Sequence, residues 1–179
     1  MNAEQYRAVI GWFNARPVAK MALRVVSRGA VALVYLGYLG MLAWLVWHRM
    51  GQFWPALVVP AAAFLVGTLV RKAIDRPRPY TALWFTPLFP KDKAGQSMPS
   101  RHCFSAAAIA GAAWYVFQPW GLALAVLAVV IAVCRVVTGV HYVSDVLAGL
   151  AFGTVFSVLG WNAFVLAASA LGFYAIMLL

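Results

Sequence analysis

GAVALVYLGYLGMLAWLVW, the run from Gly29 to Trp47, holds 19 residues without a charge. A helix needs about 20 such residues to cross the roughly 30 Å of bilayer hydrocarbon. Working outward, Met50 to Val70 is a second uncharged run, of 21 residues. Cys103 to Cys134 extends for 32 residues and Val146 to Leu179 for 34. The two longer runs exceed one ordinary crossing at about 1.5 Å per residue. Gln118-Pro119-Trp120-Gly121 offers a break in the first, and Gly160-Trp161-Asn162 in the second. The expected fold is therefore all-α, a polytopic membrane helix bundle with about six transmembrane helices. Residues 3–15 are too polar to span, and their mixture of Trp, Phe, Ile and charge suits an N-terminal interfacial helix. The whole chain, 1–179, reads as one integral-membrane domain, with 1–28 as its interfacial segment and 75–98 as a loop over the site.

Composition agrees. The 179 residues are 65% hydrophobic and 10% charged, against about 45–50% and 25% in soluble domains. A soluble core of this size has no room for so much apolar surface, and disorder requires the opposite composition. Fourteen Lys and Arg against four acids give a net charge of +10. Nucleic acid is not the expected partner, because the cations are separated by long apolar runs rather than gathered on a soluble face. The bilayer and a phosphorylated lipid suit them better. Cys103 and Cys134 read as packed free thiols, and no cleavable signal peptide is expected from residues 1–28. Oligomeric state is not encoded in any of these features.

Polar residues are scarce and cluster three times. The first cluster is Arg71-Lys72-Ala73-Ile74-Asp75-Arg76-Pro77-Arg78-Pro79-Tyr80, the second Met98-Pro99-Ser100-Arg101-His102. The third runs from Cys134-Arg135 through Thr138 and His141 to Asp145. Counting crossings brings all three to the same side of the membrane. Guanidinium groups there match phosphate oxygens bidentately. Pro99-Ser100 ahead of an apolar helix sets a hydroxyl and backbone N–H groups at a positive helix end. His141 and Asp145 are spaced i, i+4, so they share a face if one helix holds both. A carboxylate so placed prepares an imidazole as nucleophile or base, and His102 lies where it can protonate a leaving oxygen. His48, beside Arg49, reads as a solvated turn residue.

The three clusters resemble the signature of the type 2 phosphatidic acid phosphatase superfamily, which comprises membrane lipid phosphatases. Its Lys-x6-Arg-Pro, Pro-Ser-Gly-His and Ser-Arg-x5-His-x3-Asp appear as Arg71 to Arg78-Pro79, Pro99-Ser100-Arg101-His102, and Cys134-Arg135 to His141 and Asp145. The resemblance implies His141 as the nucleophile forming a phosphohistidine, Asp145 as its orienting partner and His102 as the acid. It implies a phosphate cradle of Arg78, Arg135, Ser100 and the Arg101 backbone, without a metal or other cofactor. Arg71 stands at the usual lysine, with Lys72 as the alternative; Arg101 replaces glycine, and Cys134 replaces serine.

The implied reaction is metal-independent hydrolysis of a terminal lipid phosphate or pyrophosphate. Undecaprenyl pyrophosphate, phosphatidylglycerol phosphate and phosphatidic acid are the candidate substrates. A non-enzymatic lipid-phosphate carrier is the alternative, although a carrier has no use for the His141–Asp145 pair. Tyr80, Trp84, Phe85 and Phe89, followed by Lys91 and Lys93, suggest an interfacial lid with lysines near the anionic substrate. By parity 13 of the 14 basic residues lie on the site's side, with Arg49 alone opposite, which under the positive-inside rule points to the cytoplasm. The resemblance implies an outward-facing site in the inner, or plasma, membrane, and that is the expectation.

Overall fold

The computed structural model describes residues 1–170. Seven helices follow one another: α1 (Ala3–Asn14), α2 (Pro17–His48), α3 (Met50–Ile74), the short α4 (Pro79–Ala82), α5 (Arg101–Val116), α6 (Gln118–Val137) and α7 (Val143–Ala170). Among the described residues, α2, α3, α6 and α7 are long and apolar enough to cross a membrane. The chain is a polytopic membrane helix bundle.

Local chemistry sets the boundaries. Asn2 and Gln5 form a capping box, each side chain accepting from the other's backbone N–H at 2.9 Å. Pro17 occupies the first turn of α2, where its missing donor costs nothing. Single residues, Arg49 and Phe117, separate α2 from α3 and α5 from α6, so each pair packs as an antiparallel hairpin. Pro60 inside α3 cannot donate to the Ala56 carbonyl four residues back. The Tyr38 hydroxyl of α2 donates to that carbonyl instead, at 2.9 Å. A neighbouring helix thus satisfies the group that proline frees, as a bilayer interior demands.

α5 is the central helix, packing on α2, α3, α6 and α7, and is buried almost throughout from Cys103 to Ala113. Its alanines allow close approach, and glycines opposite complete it. A Cβ on Gly153 of α7 would lie 2.3 Å from the Phe104 carbonyl oxygen of α5. Small residues at such contacts are how helices associate where lipid offers no hydrophobic drive. The outer faces stay apolar, with Leu36, Leu65, Leu69, Leu122 and Leu159 exposed. A soluble protein would hide these; a lipid surround accepts them.

Two boundaries differ from expectation. The break at Gln118-Pro119-Trp120-Gly121 exists, but α7 runs unbroken through Gly160-Trp161-Asn162 to Ala170. Gly160 serves packing rather than a turn, because a Cβ there would meet Val59 Cγ1 at 2.9 Å. Residues 163–170 of the expected sixth crossing thus prolong the fifth; the rest of it lies outside the described residues. At the other end, only 3–14 form a separate helix. Residues 17–28 are the opening turns of α2, since nothing between Pro17 and His48 interrupts a helix.

Candidate functional site

Buried polar groups gather at one end of the bundle. Arg71, Arg78, Ser97, Ser100, Thr138, His141 and Asp145 are all buried. α3 supplies Arg71, the 75–98 loop supplies Arg78 and Ser97, and the start of α5 follows Ser100. α6 carries Arg135 in its last turn and leads through a five-residue turn to α7. The three sequence clusters therefore meet.

Asp145 is the hub. It is fully buried, and its Oδ1 accepts from Arg76 Nη1 at 2.8 Å. Its Oδ2 accepts from the Ser97 hydroxyl at 2.5 Å and the Tyr142 backbone N–H at 2.9 Å. The last bond also caps α7, because Asp145 reaches back to the residue preceding its first turn. Its backbone carbonyl accepts from Ser100 N–H at 2.9 Å, which ties α7 to the start of α5.

His141 is not on α7, so the shared helix face expected from the i, i+4 spacing is not how the pair meets. The chain turns at Gly139, whose φ of +75° suits glycine, and His141 follows in the turn. Its Nδ1 lies 3.6 Å from Asp145 Oδ2 and 3.3 Å from Ser97 Oγ. Ser97 donates to Asp145, so its oxygen is free to accept from His141 Nδ1–H. That arrangement leaves the lone pair on Nε2 and points it away from the carboxylate. Burial lowers the His141 pKa, the Asp145 carboxylate opposes that, and Arg78 and Arg71 reinforce it. The net direction is down, so the imidazole is neutral at neutral pH.

The cations surround this core. Arg71 is buried, donates to the Gln96 carbonyl and has Arg78, Arg101 and Asp145 as charge neighbours. Lys72 is exposed, so the structure brings Arg71 rather than Lys72 to the cluster. Arg78 Nε donates to the Gly95 carbonyl at 3.1 Å, and its two terminal nitrogens have no hydrogen-bond partner among the described residues. Arg135 Nε is buried without a partner among the described residues. Ser100 does not cap α5 with its side chain, and its buried Oγ, with the Cys103 thiol nearby, has no hydrogen-bond partner among the described residues. The first-turn N–H groups of α5 thus stay uncapped, as an anion site needs. Ser100's own N–H, by contrast, is taken by Asp145. Arg101 is exposed. His102 lines a cavity of about 480 Å³ together with Arg135.

The 75–98 loop is stitched down more firmly than a lid. Leu88 N–H donates to the Thr138 carbonyl at 3.1 Å, and Tyr80 OH donates to the Lys93 carbonyl. Phe85 stacks on Tyr6 of α1 at 5.1 Å and packs over Gly139. Phe89 lies under the Arg24 guanidinium at 4.7 Å. Trp84 alone of the four aromatics is fully presented outward, at 86% exposure. α1 joins this layer. Tyr6 is fully buried and donates to the His141 carbonyl at 3.1 Å, while Arg7 donates to the Trp84 carbonyl at 3.1 Å. Burial raises the Tyr6 pKa to about 12, so it remains a donor.

Ser97, Arg76 and Tyr6 are the site neighbours that sequence reasoning did not single out. Arg76 stacks over Tyr142 at 4.3 Å and donates to Ser144 Oγ at 2.8 Å besides its Asp145 bond. Among the described residues no three His, Cys, Asp or Glu side chains converge on one point.

Comparison with known proteins follows the same lines. The sequence pattern of the PAP2 superfamily matches residues 52–169. The lipid A 1-phosphatase of Rhizobium etli is 39% identical over 100 residues, covering 53% of this chain and 43% of that protein. That of Rhizobium johnstonii is 38% identical over 100 residues, covering 53% and 41%. The match thus spans less than half the length of these curated relatives. The crystal structure of Aquifex aeolicus LpxE superposes with a TM-score of 0.69 at 22% identity, covering 90% of this chain and 94% of that one. A PAP2-type phosphatidylglycerolphosphate phosphatase from Bacillus subtilis gives 0.55 at 23%, covering 88% and 91%. At these identities the two structures speak for the fold.

Proposed function

The chain belongs to the PAP2 superfamily, and on that premise we propose that it hydrolyses the terminal phosphate of a membrane lipid through a phosphohistidine, without a metal. The observation that carries this reading is the buried His141–Ser97–Asp145 chain ringed by Arg71, Arg78 and Arg135. His141 Nε2 forms a bond to phosphorus as the bond to the leaving oxygen breaks, and that oxygen takes a proton from His102. Water then gives its proton to the deprotonated His102 as its oxygen bonds to phosphorus and the P–N bond breaks, releasing orthophosphate and restoring both imidazoles. The guanidinium groups and the α5 N–H groups stabilise the equatorial oxygens as charge develops.

Undecaprenyl pyrophosphate, phosphatidylglycerol phosphate and phosphatidic acid are candidate substrates, and the Rhizobium relatives add lipid A 1-phosphate. Presenting these four lipids in detergent to the purified protein is expected to release orthophosphate from at least one. Excess EDTA is expected to leave that rate unchanged. No release from any lipid, or loss on chelation, would overturn the reading.

The same proposal places the site on the extracytoplasmic face of the plasma membrane. The basic residues near the N-terminus, which by the positive-inside rule would point to the cytoplasm, carry less weight as topology signals once their contacts are counted. Arg7 bonds the loop, Arg16 stacks on Trp12, Lys20 bonds Asn14 and Arg24 stacks on Phe89. A cysteine introduced at Trp84 should react with an impermeant maleimide in intact cells. Labelling only after lysis would reverse the orientation.

A further inference from the structure

The cavity of about 480 Å³ beside His102 is lined by more cations than one phosphate requires. Arg24 and Arg28 of α2 and Lys91 of the loop line it together with His102 and Arg135. It falls within the size range of small-molecule sites, about 300–1,000 Å³. None of its lining residues is an acid, and none of these cations forms an ion pair among the described residues.

Their direction is specific. Arg16, Lys20, Arg24 and Arg28 recur every four residues, a spacing that puts them on one helical face. The first two are turned to α1, where Arg16 stacks on Trp12 and Lys20 bonds Asn14. Arg24 and Arg28 instead reach the cavity, and the Arg24 guanidinium lies over the Phe89 ring at 4.7 Å. Topology signalling requires charge near a helix end; it does not require that charge to line the space beside a candidate acid. Four unpaired cations around one cavity call for an anionic occupant.

His102 gives that occupant a position. In the proposed reaction it protonates the leaving oxygen, so whatever fills the space beyond it belongs to the leaving group. We propose that Arg24, Arg28 and Lys91 form a second anion subsite on the leaving-group side. The subsite holds a phosphate of the leaving group itself, so the substrate class is a lipid carrying a second phosphate next to the scissile one. This rests on the phosphatase reading and extends it from one phosphate to two.

Diacylglycerol pyrophosphate and phosphatidic acid share an anchor and differ by that second phosphate. The Arg24→Gln/Arg28→Gln variant should lose at least about tenfold more kcat/KM on the former than on the latter, as charge-assisted contacts to phosphate are removed. Lys91→Gln, which leaves α2 intact, should shift the ratio in the same direction by about threefold. Equal losses on both lipids, or none on either, would overturn the subsite. A binding measurement separates this from the catalytic reading. The full chain carrying His141→Ala should bind inorganic pyrophosphate at least about tenfold more tightly than orthophosphate by calorimetry. Adding the Arg24/Arg28 changes should erase that preference. If wild type hydrolyses no lipid while the preference and its loss are observed, the subsite stands and the phosphatase reading falls. If lipids are hydrolysed and pyrophosphate binds no tighter than phosphate, the subsite falls alone.

Discussion

Replacing His141 with alanine is expected to lower kcat for lipid phosphate hydrolysis by about 10⁴-fold or more, as loss of a covalent nucleophile does. KM should move only a few-fold, because the groups that hold phosphate stay. Arg71 is fixed by the Gln96 carbonyl and Arg78 by the Gly95 carbonyl, and neither bond involves the imidazole. The turn itself should survive, since Tyr6 holds the backbone carbonyl at residue 141 rather than the ring. A P–N bond is stable in alkali and labile in acid. Wild type mixed with labelled lipid and quenched in alkali should therefore retain protein-bound phosphate, while the alanine variant retains none. Hydrolysis by the variant at more than about a hundredth of the wild-type kcat would remove His141 from the chemistry. A phosphate-binding carrier, the competing class, would be indifferent to the substitution.

Much of this site could be read in the sequence, and the portions that could not have physical causes. Crossing parity alone brought Arg78, Ser100, His102, Arg135, His141 and Asp145 to one face, because charge spacing in a membrane chain reports topology directly. The choice between Arg71 and Lys72 depended on helix phase, which adjacent positions do not reveal without the packing of α3. Ser97 is one hydroxyl in a polar loop; only the fold sets it between His141 and Asp145. Arg76 stood in the first cluster without a role, for the same reason. Gly160 looked like a break because glycine has two uses, a turn or a close contact, and only the Val59 side chain opposite distinguishes them. Arg24 and Arg28 read as topology charges because their facing a cavity requires α2 to begin at Pro17, well before the apolar run. The N-terminal helix was legible as interfacial, but its hold on the turn that carries His141, through Tyr6, spans 135 residues of sequence.

The Asp145→Asn variant should reduce kcat by about 10⁴-fold, as the equivalent change does at a carboxylate-oriented histidine. Its pH profile should identify the reason. Asp145 is fully buried and accepts from Arg76, Ser97 and Tyr142. The amide keeps the shape but offers one acceptor oxygen, so at least one of these donors is left unpaired. That costs about 1–3 kcal/mol of stability, and size-exclusion elution will show whether the variant remains folded. In the proposed reaction the nucleophile is the neutral imidazole, so activity should fall as pH drops through the His141 pKa. Burial already places that pKa below the usual histidine value, and the acid limb of wild-type kcat/KM should lie below pH 6.5 accordingly. Asp145 is the group that raises it; with asparagine the raising influence is gone, while burial, Arg78 and Arg71 still act downward. The acid limb of the variant should therefore move to still lower pH even as the plateau falls. A merely structural carboxylate would lower the plateau and leave the limb in place. A limb that moved to higher pH would mean that Asp145 lowers the His141 pKa rather than raising it, and its electrostatic role at the imidazole would be overturned.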